Sequence, residues 1–176
     1  MLADLPARTN WLFWRRPLLV TLLLGCAISL MTAGSLELRL VVSAGLTWTF
    51  VPLLEITSLA LVWSWHRPPV ALARSVDLFF TGNAPWSLWL IGSGLFWATF
   101  PELVPFRPVA YCWFGSAAVV IAWSAWLDFC FWRIAMKRKL PDAIRDLVLQ
   151  RVLAWAPGVL IFGAASLWVD LEKLWL

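Results

Sequence analysis

Long apolar runs separated by short charged stretches set the pattern of this chain. Segments 18–36 and 78–101 contain no Asp, Glu, Lys or Arg. Segment 40–65 is interrupted only by Glu55, and segment 108–132 only by Asp128. Segment 152–169, with 18 uncharged residues, is the shortest. A helix crossing a bilayer needs about 20 mostly apolar residues. The runs are continuous, whereas a membrane barrel requires alternating strands of about ten residues. Backbone in lipid must satisfy its own hydrogen bonds, which leaves helices. The pattern therefore predicts an all-α membrane protein, residues 1–176 forming one integral membrane domain with five transmembrane helices.

Two loops carry helical periodicity of their own. Leu72, Val76, Phe79 and Phe80 recur at i, i+4, i+7 and i+8, and Gly82-Asn83 follows as a stop signal. Further on, Lys137-Arg138-Lys139 leads into Pro141-Asp142, which suits a helix start. Ile144, Leu147, Val148 and Val152 then form an apolar stripe. Both segments are expected to be short amphipathic cytoplasmic helices on the anionic inner leaflet. Lys137, Arg138, Lys139 and Arg145 are candidate contacts for anionic lipid or for a cytoplasmic partner at loop 133–151.

Composition supports the membrane reading. Hydrophobic residues make up 62% of the 176 and charged residues 14%, against about half and a quarter in soluble domains. The formal charge of +4 accompanies no soluble basic domain, so nucleic acid is not an expected partner. The cations instead define orientation. With five spans, the N-terminus and the loops after spans two and four carry eleven Lys and Arg, and the other side three. Cations accumulate on the cytoplasmic side. The N-terminus is thus expected inside and the C-terminus outside, in a membrane of the bacterial inner-membrane type.

Cys26, Cys112 and Cys130 lie in apolar runs without any CxxC pair and are expected to be buried small residues. The single histidine, His66, excludes a His-rich metal centre and two-histidine haem ligation within the chain. No metal or cofactor site is expected. The 15 tryptophans suit headgroup depth, where amphipathic rings belong.

Two ionisable residues interrupt the spans and are the candidate functional intramembrane groups. Glu55 lies roughly 13 Å from the inner end of its span at 1.5 Å rise per residue. At that depth it must be neutral, paired or facing the bundle. Pro52 lacks a backbone donor and is expected to kink the same helix. Asp128, one turn from Trp132-Arg133, is expected to reach toward the interface. Pro157, followed by Gly158, is a second expected kink. Gly25, Ser29 and Ala33, and separately Ala118 and Ala122, form small-residue stripes suited to helix packing.

No nucleophile–base pair, phosphate-binding loop or metal-ligand spacing occurs, so an enzyme is not expected. Five spans with an inner N-terminus resemble the Yip family of trafficking proteins. Asp77-Leu78-Phe79 lacks the Gly-Pro that completes that family's motif and precedes span three, so no property of the family carries over. The expected function is a non-catalytic structural or accessory subunit that meets the lipid bilayer and either other membrane subunits or further copies of itself. The alternative is a transporter or permease component with Glu55 lining a solute or proton path.

Overall fold

The computed structural model describes the backbone of residues 5–66, 70–103 and 107–175, and side chains within 11–160. Within these residues seven α-helices follow one another: α1 Leu5–Ala33, α2 Leu38–Trp48, α3 Phe50–His66, α4 Leu72–Phe79, α5 Ala84–Thr99, α6 Arg107–Cys130 and α7 Leu140–Trp175. Among the described residues there is no strand.

Local chemistry sets the boundaries. Gly34, at φ 67°, takes the left-handed conformation after α1, and its N–H bonds Leu30 O at 3.0 Å. Ser29 Oγ closes the next turn, accepting from Glu37 N–H and donating to Ser35 O, both at 2.9 Å. Pro52 has no N–H to offer the carbonyl of Trp48. The second apolar run accordingly divides at Thr49, whose N–H turns back to Leu46 O at 3.2 Å. Between α6 and α7, residues Phe131–Ala135 form a π-helical turn, with Met136 N–H bonding Phe131 O at 3.0 Å.

Among the described residues, three helical stretches are long and apolar enough to cross a membrane: Phe13–Ala33, Leu38–His66 and Arg107–Ala135. The expectation of five spans is therefore met in part. Helix α5 has only 16 residues, about 24 Å at 1.5 Å each, against a hydrocarbon core of about 30 Å. The second half of the expected fifth span lies beyond the described side chains. Its backbone belongs to α7, which continues through Pro157 without a break.

Helix α1 packs against α2, α4 and α5, while α3 packs against α7. Close approach at α1 depends on glycine. A Cβ on Gly25 would overlap the carbonyl oxygen of Val41 on α2, and one on Gly94 of α5 would lie 3.0 Å from Ala27 O. Leu59, Val62, Val76, Phe79, Trp132 and Ala143 are among the residues of the apolar core. That core corrects the surface position expected of the first loop helix. The segment 72–80 is not spread on a leaflet, because Ala73, Val76 and Phe79 of α4 are buried in the protein. The segment 140–152 is no separate element but the first part of α7.

The apolar stripe of α7 faces outward. Ile144, Val148, Val152, Trp155 and Val159 are exposed, whereas Ala143, Asp146, Gln150 and Ala154 are buried. The same inversion governs α6, which buries Val120, Ser124 and Asp128 and exposes Tyr111, Phe114, Val119 and Trp126. Lipid supplies no penalty for exposed apolar surface, so the polar groups turn inward to partners. The cysteines depart from their expected burial: Cys112 is exposed, and Cys26 and Cys130 are half-buried.

Candidate functional site: a buried ionic cluster

Glu55 and Asp128 meet at one guanidinium. Glu55 projects from α3, three residues beyond Pro52, and is buried. Its Oε2 accepts a hydrogen bond from Asn83 Nδ2 at 2.8 Å. Its Oε1 lies 3.5 Å from a terminal nitrogen of Arg151 on α7. The other terminal nitrogen of Arg151 pairs with Asp128 Oδ2 on α6. One turn along α3, Ser58 Oγ accepts from Gln150 Nε2 at 3.1 Å. The arrangement ties α3, α6, α7 and the 3-10 turn Phe80–Asn83 that precedes α5.

Backbone and ring contacts shape the cluster. Asp128 approaches the chain at Gly82, where a Cβ would stand 2.8 Å from Oδ1. The Arg151 guanidinium carbon lies 5.9 Å from the centre of the Phe79 ring, within cation–π range. Ser124 Oγ and Gln150 Oε1 are buried polar atoms without a hydrogen-bond partner among the described residues.

Asp128, expected to reach toward the interface, is buried within the bundle at 1% exposure. Its carboxylate turns along α6 toward α7 because Arg151 offers a charge partner there. Asn83, which ends the 3-10 turn after α4, also donates to Glu55. Arg151, read from sequence as one more orientation cation, is the centre of the cluster. The signal for both was the demand of Glu55 for a partner in lipid, which named no residue.

Two further clusters flank this one. Asp77 of α4 accepts from Arg15 of α1 through two bonds of 2.6 and 2.7 Å, with Arg16 Nε at 3.0 Å from the same carboxylate. The bonded Arg15 guanidinium, helped by Arg16 and Arg74, holds the Asp77 carboxyl below its usual range against the opposing effect of burial. Arg16 also donates to Thr81 Oγ1. On α7, the buried Asp146 accepts from Arg138 Nε at 2.7 Å and lies 3.1 Å from His66 Nε2 and 3.3 Å from Arg145. Arg138 is thus turned inward, a correction to its expected surface contact, whereas Lys137 and Lys139 are exposed. Arg145 remains largely exposed beside Asp142 at 3.5 Å.

Among the described residues, no three His, Cys, Asp or Glu side chains are grouped to hold a metal ion. The chain matches no protein-family model, no curated protein and no solved structure. What the cluster does chemically is join helices: each carboxylate oxygen that it engages meets a donor from another element.

Proposed function

We propose that the chain is a non-catalytic structural or accessory subunit of a membrane complex, a five-span protein of the inner membrane with its N-terminus in the cytoplasm. The observation that carries this reading is the free face of α6. Gly115, Ala118, Ala122 and Ala125 recur at helical spacing, all are exposed, and they lie opposite the buried Val120, Ser124 and Asp128. A Cβ on Gly115 would meet nothing within 4 Å. The related stripe on α1 already seats α2 at Gly25. Small residues let helix backbones approach closely in lipid, so the α6 face fits a helix from another subunit or another copy. Both Glu55 oxygens are engaged by Asn83 and Arg151, which favours a role in holding the bundle over one in lining a solute path.

Purification in mild detergent tests the assembly. The chain is expected to migrate as a larger complex, and Ala122→Trp to release a monomer, as read by native electrophoresis and mass photometry. A monodisperse monomer that retains full cellular function would overturn the reading.

The span count draws support from lengths. The four-residue turn Phe80–Asn83 and the 16 residues of α5 stack to roughly 32 Å. The 36 residues of α7 reach about 54 Å, enough for a cytoplasmic section and a crossing. The division of eleven cations against three favours an inner N-terminus. Exposed Lys137, Lys139 and Arg145, beside the outward stripe of Ile144 and Val148, suit anionic headgroups. A phosphatase that works only after export, fused behind Leu176, should be active, and a fluorophore that matures only in the cytoplasm should stay dark. The reverse result refutes the fifth span.

A further inference from the structure

The charges of the central cluster do not balance. Glu55 and Asp128 are 7% and 1% exposed at their side chains, and they share one guanidinium. Among the described residues no other cation lies within ion-pair distance of either carboxylate. The other ion pairs of the packed elements lie elsewhere, and Arg74 of α4 and Arg107 of α6 are exposed. Helix α1 brings Arg15 and Arg16, which pair with Asp77 of α4. Helix α7 brings Asp146, which engages Arg138, Arg145 and His66 of α3. Helix α5 contains no charged residue. Two buried carboxylates that share a single cation do not both stay ionised in a dry site, and an unmatched buried charge is costly in lipid.

A second observation points the same way. Gln150 Oε1 and Ser124 Oγ are buried without a partner. The amide oxygen is an acceptor only, so it lacks a donor. Gln150 adjoins Arg151 in sequence and bonds Ser58, one turn from Glu55. Ser124 sits one turn from Asp128 on the buried face of α6. These polar atoms stand on the helices that supply Arg151 and Asp128. We propose that the buried Glu55–Asp128 pair, matched by the single Arg151 guanidinium, binds one exchangeable proton. Binding forms one O–H bond on a carboxylate oxygen, and release returns the proton to water. Arg151 keeps 24% of its side chain exposed. This inference is independent of what the α6 face contacts.

Infrared spectroscopy of the full chain in lipid nanodiscs tests it. At neutral pH the spectrum should contain a carboxylic-acid carbonyl band that shifts in deuterium oxide. Glu55→Gln should abolish the band, and so should Asp128→Asn, because either change leaves one carboxylate matched to one guanidinium. The unaltered chain answers the question even where a variant fails to fold. Absence of the band at neutral pH overturns the proposal, as does its persistence in both variants. A third outcome assigns the site to sodium instead: no band, with a thermal midpoint raised by sodium chloride but not by choline chloride.

Discussion

Replacing Arg151 with Leu is expected to destabilise the folded bundle by about 3–5 kcal/mol, the usual cost of removing one partner from a buried ion pair. The size follows from what remains. Glu55 and Asp128 stay buried, and each loses the nitrogen of Arg151 that faces it. Leucine supplies apolar bulk beside Phe79 but no hydrogen bond. Neutralising an acid instead should cost far less. In Glu55→Gln the amide oxygen still accepts from Asn83, and Arg151 keeps Asp128. The contrast between the two variants is the informative quantity, since both remove one charge from the same place. Unfolding in detergent, followed by helical circular dichroism, measures it. Equal small losses in the two variants would mean that the cluster is incidental to stability.

The apolar runs announced helices, and Glu55 announced a need for a partner, because both follow from the cost of placing polar groups in lipid. The identity of the partner was not legible. Arg151 lies 96 residues away along the chain, and nothing local distinguishes it from the other cations near the inner surface. Helix α4 shows a related limit. Its periodicity marks an apolar face correctly, but periodicity does not say whether that face meets lipid or protein. The stripe on α7 was legible as a stripe, and it faces outward because Asp146 and Gln150 require interior partners more than Ile144 and Val148 require burial. Pro52 offered a clear local cause for disruption, a missing donor, and the chain divides at Thr49, one turn earlier. Cys112 shows the reverse error, since a residue small enough for a core is equally at ease facing lipid.

Two glycine substitutions of identical chemistry are expected to act in opposite directions. Gly25→Ala should destabilise by an amount near the upper end of the roughly 1–3 kcal/mol that overpacking costs. The added methyl overlaps the carbonyl oxygen of Val41, and it also lies 3.1 Å from the Val41 carbonyl carbon and 3.3 Å from Gly45 N. All three are backbone atoms of α2, so no side-chain rotation relieves the contact. The two helices must separate, and the bonds of Ser29 that close their turn are strained with them. Gly92 of α5 is the control. A Cβ there meets nothing within 4 Å, and alanine is favoured over glycine inside a helix by up to about 1 kcal/mol. Gly92→Ala should therefore be neutral or stabilising. Thermal unfolding of the two variants in the same detergent compares them directly. A Gly25→Ala chain as stable as the Gly92→Ala chain would mean that α1 and α2 are not packed backbone to backbone.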